Sequence, residues 1–295
     1  MRSLLFVPGD SERKIAKGLS SAADALILDL EDSVGPNNKP AARAMCAEVL
    51  VSAKTNKKLF VRMNALDTPH ALLDLAAVVR AKPAGIMFPK CRNATDLRTV
   101  SDYLTALEAR DGVLVGQTQI LPIVTETGAS MFGLGTYTAT GEMACPRLSA
   151  LLWGGEDLAA DLGAMGNRDA ATGQYTPPYH LARSLCLFAA TAASVIAVDA
   201  VYVDFRDPKG LEAESIEGQR MGYSAKAAIH PDQVEVINRV FTPSAESLDW
   251  ANKVLAAFAA NPGAGVVNMD GRMVDIPHFK SATRILARSK AASGN

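Results

Sequence analysis

Eight short apolar runs punctuate the chain, at residues 3–8, 25–32, 58–64, 85–90, 119–126, 148–155, 200–207 and 225–231. Each has the length of a strand and is apolar nearly throughout, as expected of strands covered on both faces. Stretches with helical patterning separate them, for example 37–54, 68–80, 94–109 and 178–195. Strand alternating with helix predicts βαβ units and a parallel sheet. Eight such units predict an α/β fold of the (β/α)8, or TIM barrel, type, with a doubly wound open sheet as the alternative.

The C-terminal ends of the runs favour the barrel. Polar and turn residues gather there: Pro8-Gly9-Asp10, Glu31-Asp32, Arg62 with Asn64, Lys90, Glu126, Asp157, Asp204 with Arg206, and His230. A barrel brings all eight ends to one rim, where sites on this fold lie, whereas an open sheet scatters them. After Pro243 the pattern changes to a helix over 245–260, a Pro/Gly joint from Asn261, the stretch NMDGRMVDIPHF and a last helix. The expected organisation is a catalytic barrel over 1–260 and a C-terminal helical extension over 261–295. That extension is a lid on its own barrel or an arm onto a neighbouring subunit.

Composition narrows the class. Hydrophobic residues make up 48% of the 295 residues, enough for a large core, and the net charge of -1 leaves no electrostatic footprint for nucleic acid. Cys46, Cys91, Cys145 and Cys186 form no CxxC pair, which suits a reduced, cytoplasmic setting. The start is too soon polar for a signal peptide, and no apolar run is long enough to span a membrane. His70, His180, His230 and His278 show no zinc-helix spacing.

Two strand ends carry the candidate chemistry. ILPIVTETG delivers Glu126 and LSALLWGGEDL delivers Asp157. Singly, each acid reads equally well as a helix N-cap. As a pair on consecutive strands they suit an oxygen-ligated Mg²⁺ with about four positions left for water and a bidentate 2-keto acid. Gly154 and Gly155 let backbone approach that ligand. Arg62 is either the structural partner of Glu31 or Asp32 or a fixed guanidinium facing an oxyanion. Glu31 and Asp32 read as supporting acids, Asp29 as a structural acid, and Lys90 as a salt-bridge residue or a Schiff-base lysine. His230 before Pro231 is a capping residue or a base. Arg13, Lys17, Lys39 and Arg43 are solvated cations or a scattered phosphate site, since no GxGxxG or Walker motif exists.

LLFVPGDSERKIAK, DALILDLEDSV, VRMN, IMFPK, LPIVTETG, LLWGGEDLAADLGA, VYVDFRD and AAIHPDQVEVIN together resemble the citrate lyase β-subunit-like proteins of the HpcH/HpaI aldolase superfamily, a group that includes malyl-CoA and citramalyl-CoA lyases. The resemblance runs nearly end to end. It implies a (β/α)8 barrel, usually a homotrimer or hexamer, with Glu126 and Asp157 on Mg²⁺, Arg62 and Glu31 in catalysis, and Gly155, Glu156 and His230 at the substrate. It also places Phe6, Arg13, Lys17, Lys39 and Arg43 near CoA, and brings Asp275 of MVDIPHFKSA from a neighbouring subunit as an acid–base group. Phe6 departs from the Tyr common in relatives, and TETG from the commoner ETA. The implied activity is Mg²⁺-dependent cleavage or formation of a 3-hydroxyacyl-CoA such as malyl- or citramalyl-CoA, with acetyl-CoA and a 2-keto acid as partners. Alternatives are a citrate lyase β-subunit acting on a carrier-bound acyl group, a CoA-independent class II pyruvate aldolase, and a non-catalytic metabolite-binding barrel.

Overall fold

A computed structural model describes residues 1–269 and 271–293. The chain runs β1 (Ser3–Pro8), α1 (Glu12–Ser20), β2 (Ala25–Asp29), α2 (Lys39–Ser52), β3 (Lys58–Arg62), α3 (Ala71–Val78), β4 (Gly85–Phe88) and α4 (Ala94–Asp111). It continues through β5 (Gln119–Pro122), α5 (Gly128–Gly133), β6 (Ala150–Leu152), α6 (Glu156–Asp161), α7 (Pro177–Ala192), β7 (Ile196–Asp199), α8 (Pro208–Met221), β8 (Ala225–Ala228) and α9 (Val234–Phe241). The end is α10 (Ala245–Ala259), the hairpin β9 (Val266–Met269) with β10 (Arg272–Asp275), and α11 (Ile276–Ser293).

The eight parallel strands lie in the order β5-β4-β3-β2-β1-β8-β7-β6. Strands β5 and β6 complete the circle through parallel bridges at Ile120–Leu148 and Ile123–Leu152, so the expected (β/α)8 barrel is the fold. Side chains alternate across each strand. Leu4, Ile27, Phe60, Met87, Leu121, Leu152, Val198 and Ala227 fill the interior, while their neighbours pack on the helices. The same alternation continues to the rim: Ala25, Ile27 and Asp29 share one face of β2, and Asp29 registers beside Arg62 on β3. The inward face therefore ends in an acid and a base side by side.

The seventh strand lies earlier than the run at 200–207 predicts. It is Ile196–Asp199, and the residues that follow are irregular up to α8. The strand falls in the gap between the expected helix over 178–195 and the expected run over 200–207. The break comes at Ser194, whose positive φ of 56° ends α7 without a glycine. Asp204 and Arg206 accordingly sit in the connection after β7 and not at a strand end.

Residues Ala251, Val254, Phe258, Val267, Val274 and Ala282 form a hydrophobic cluster of their own, uniting α10, the β9–β10 hairpin and α11. Among the described residues no helix is long and apolar enough to cross a membrane.

Candidate active site

At the C-terminal rim a cavity of about 310 Å³ is walled by Phe6, Arg62, Ile123, Glu126, the Trp153–Asp157 stretch, Tyr175 and Ile229. Its acids and cations form one linked set. Arg62 Nε and Nη2 each lie 2.7 Å from a different oxygen of Asp29, and its Nη1 lies 2.8 Å from Glu31 Oε2. This bidentate grip fixes the guanidinium plane, which also covers the Phe6 ring at 4.9 Å. Burial opposes the charge on Arg62, but Asp29 and Glu31 outweigh it and hold its pKa above the ordinary value. Burial likewise opposes the charge on Asp29, and Arg62 keeps that carboxyl below its usual range. The supporting acid is thus Asp29 at least as much as Glu31, while Asp32 stands farther off at 4.0 Å from Arg62 and is 61% exposed.

Lys90 lies between the acids. Its ammonium is 2.6 Å from Glu31 Oε1 and 3.2 Å from Asp157 Oδ1. Burial works against that charge, yet the Glu31 bond and the surrounding carboxylates raise its pKa. A lysine held protonated is a poor Schiff-base nucleophile, so the salt-bridge reading stands. Its backbone adopts a left-handed φ of 53°, and from that conformation its N–H donates to Glu126 Oε2.

Glu126 is fully enclosed, and burial, then the charges of Asp157 and Glu31, push its carboxyl well above the usual range. Glu31 is raised as well, chiefly by burial, and its Oε2 makes no aligned hydrogen bond despite the nearby guanidinium. A Cβ added at Gly154 would come within 2.9 Å of Glu126 Cγ, so glycine is what lets this carboxyl sit against the next strand. The crowd of carboxylates with all-oxygen donors fits a small, hard divalent cation held by Glu126 and Asp157. Among the described residues no group of three or more His, Cys, Asp or Glu side chains is gathered for a metal.

The other predicted residues fall into different settings. Gly155 and Glu156 wall the cavity, and Glu156 accepts a 2.6 Å bond from Asn167 Nδ2. Glu31 is not a wall residue; its carboxylate pairs with Arg62 and Lys90 behind the wall. His230 caps the turn at Pro231–Gln233 and stacks on Phe205 at 4.8 Å, while its neighbour Ile229 faces the cavity. Phe6 lies in the cavity under Arg62. Arg13 and Lys17 are exposed on α1.

Lys39 and Arg43 are not free cations at the mouth. Lys39 is buried with its Nζ donating to Leu30 O, Glu31 O and Asn64 Oδ1, so all three protons are used. Arg43 is tied to Asp74 at 2.7 Å and meets His70 Nδ1. Asp275 ends β10, outside the cavity wall, and pairs with His278, which holds its carboxyl below the ordinary value.

Trp153 and Tyr175 were missed from sequence. The first lies inside the apolar run at 148–155, where nothing singles it out; the second lies in a connection after β6 with no motif to mark it.

The family model described as HpcH/HpaI aldolase/citrate lyase matches residues 2–231. The (3S)-malyl-CoA thioesterase of Cereibacter sphaeroides is 36% identical over 98% of this chain and 95% of its own. The mitochondrial citramalyl-CoA lyase of Mus musculus is 34% identical, covering 97% of this chain and 85% of its own. Among solved structures, CitE from Mycobacterium tuberculosis in complex with magnesium, acetoacetate and coenzyme A superposes with a TM-score of 0.77 at 31% identity, over 98% of this chain and 97% of that one.

Proposed function

The chain belongs to the HpcH/HpaI aldolase/citrate lyase family, and from that premise we propose that it is a Mg²⁺-dependent carbon–carbon lyase acting on a 3-hydroxyacyl-CoA such as malyl- or citramalyl-CoA. The observation that carries this reading is the pairing at one cavity of a carboxylate set fit for a divalent cation, Glu126 with Asp157, and a guanidinium fixed beside it by Asp29 and Glu31.

In the cleavage direction the Asp275 carboxylate takes the proton of the hydroxyl, and the bond from the hydroxyl carbon to the acyl α-carbon breaks. The electron pair passes into the thioester as an enolate, and the hydroxyl-bearing fragment leaves as a 2-keto acid. Mg²⁺ bound at Glu126 and Asp157 supplies Lewis-acid stabilisation at the keto-acid end. Arg62 donates to the enolate oxygen; because Asp29 already holds it in plane, little reorganisation is needed as charge develops. Gly155 and Glu156 contact the keto acid. Asp275 from a neighbouring subunit gives the α-carbon its proton, the barrels of a cytoplasmic homotrimer or hexamer being completed by the 261–295 arm. Arg13 and Lys17, exposed on α1, suit the CoA phosphates.

Losing one fixed oxyanion donor costs roughly 3–4 kcal/mol. Arg62→Ala is therefore expected to slow acetyl-CoA release from malyl- or citramalyl-CoA by about two to three orders of magnitude. An unchanged rate rules out the role given to Arg62.

The thioesterase relative favours a second reading, in which the thioester and not the C–C bond is broken. The products separate the two: acetyl-CoA with a keto acid on one reading, free CoA with the intact hydroxy acid on the other.

A further inference from the structure

Behind the cavity wall lies a closed circuit of contacts that the proposed chemistry leaves unused. Trp153, wholly buried, donates its indole N–H to Asp199 Oδ1 at 2.7 Å. Asp199 and Lys226 point away from the barrel interior, toward the helices, because they alternate with the inward-facing Val198 and with Ala225 and Ala227. Lys226 Nζ is 2.9 Å from Asp199 and 2.9 Å from Glu214 of α8. Arg168 reaches the other oxygen of Glu214 at 2.6 Å and lays its guanidinium over the Tyr175 ring at 3.8 Å. Tyr175 meets Trp153 edge-on, with ring centroids 5.0 Å apart, which closes the circuit. Arg183 adds a second buried guanidinium on Asp199 at 3.0 Å.

Buried charges of this kind stabilise a fold weakly, and hydrophobic replacements often serve as well. Here they hold two aromatic rings at the cavity: Tyr175, 6% exposed, is a wall residue, and Trp153, wholly buried, packs edge-on behind it. The rings have little freedom: a Cβ at Gly155 would meet the Trp153 ring at 3.1 Å, and Gly155 adjoins the Glu156–Asp157 stretch. The wall is rigid, Trp153 lies four residues before Asp157, and its neighbour Gly154 packs against Glu126.

We propose that Tyr175, backed by Trp153, is the specificity-determining wall for the 2-keto acid: it meets the acid's alkyl substituent and restricts it to a small one, and the Asp199–Lys226–Glu214–Arg168 circuit fixes its position through Trp153 and Arg168. The inference rests on the reading of the site as a Mg²⁺ and 2-keto acid centre. Chelation needs only the carboxylate and the neighbouring oxygen, which every 2-keto acid shares. Discrimination must then come from whatever faces the remaining substituent, and a rigid aromatic pair resists enlargement by one carbon.

The test measures binding of glyoxylate, pyruvate and 2-ketobutyrate with Mg²⁺ and no acyl-CoA. Trp250 is the second of the chain's two tryptophans, so a Trp250→Phe background leaves the fluorescence of Trp153 as the reporter. Wild-type wall residues are expected to give tightest binding to the smaller acids. One methylene in an apolar pocket is worth about 10-fold or more, so Tyr175→Leu is expected to raise the 2-ketobutyrate-to-glyoxylate affinity ratio by about that factor. Arg168→Gln, which keeps the ring and removes its clamp, is expected to raise the ratio less and to broaden the Trp153 emission. Should Tyr175→Leu fail to fold, the Arg168→Gln ratio decides. Folded variants with an unchanged ratio overturn the proposal, as does a wild-type protein that binds no 2-keto acid. Cleavage of acyl-CoA by a protein with an unmoved ratio leaves the lyase reading standing and the wall rejected. A moved ratio in a protein that cleaves no acyl-CoA has the reverse meaning.

Discussion

A carboxyl group as enclosed as that of Glu126 cannot ionise freely beside Asp157 and Glu31. The folded chain binds its proton more tightly than the unfolded chain does. The sign follows from linkage: stability is full below the ordinary carboxylate range and falls as pH rises through the raised value. In chelator, wild-type melting temperature is therefore expected to decline across that window, and Glu126→Gln is expected to flatten the decline. Mg²⁺ binds the carboxylate and not the acid, so its stabilising effect is expected to grow with pH over the same window. Melting curves of the two proteins that run parallel in chelator would assign the pH dependence elsewhere. The residue also shows why the backbone of Lys90 takes a left-handed turn at a cost of roughly 1–2 kcal/mol. That turn aims its N–H at Glu126 and leaves its ammonium between Glu31 and Asp157.

At the scale of elements, the barrel is thinnest between β5 and β6, where isolated bridges replace a full ladder. A buried pair reinforces this seam. Arg147, just before β6, meets Glu108 of α4 through Nη1 at 3.0 Å and Nη2 at 2.6 Å. Glu108 also accepts from the N–H groups of Gly116 and Thr118, both at 2.8 Å. Burial opposes this charge, but Arg147 dominates and lowers the Glu108 pKa to about 2. Removing one partner of a buried pair costs about 3–5 kcal/mol, while replacing both by apolar groups is often nearly neutral. Arg147→Met is expected to lower the urea midpoint sharply, and adding Glu108→Leu to recover much of the loss. A double variant no more stable than the single one would mean that Glu108 serves the seam without Arg147.

The seam's apolar runs were legible because strands covered on both faces show as continuous apolar stretches. Only the seventh misled: in AATAASVIAVDAVYVDFRD neither Gly nor Pro separates helix from strand. The rim acids were legible because each ended a run. Lys39 and Arg43 were not, since a sequence displays a charge but not the Asn64 or Asp74 that holds it.

For the whole molecule, our proposal has to bring Asp275 to a cavity whose wall does not include it within one chain. It sits at the tip of β10, next to a helical unit with its own apolar cluster, so the unit can be carried as a body. Our proposal gives each site Arg62 from one subunit and Asp275 from the next, a head-to-tail arrangement that closes in a ring. Asp275→Asn alone is expected to abolish exchange of the acetyl methyl protons while leaving Mg²⁺ and keto-acid binding intact, since it touches neither. Mixing decides between a lid and an arm. Arg62→Ala and Asp275→Asn proteins are each expected to be nearly inactive. Unfolded and refolded together in equal amounts, they place an intact Arg62 against an intact Asp275 in about a quarter of the sites if the aspartate crosses between subunits. If it folds back on its own barrel, every site carries one lesion and activity stays at the level of the separate variants. Recovery near one quarter of the wild-type rate, dependent on co-refolding and absent when the folded proteins are simply combined, is the outcome expected of an arm.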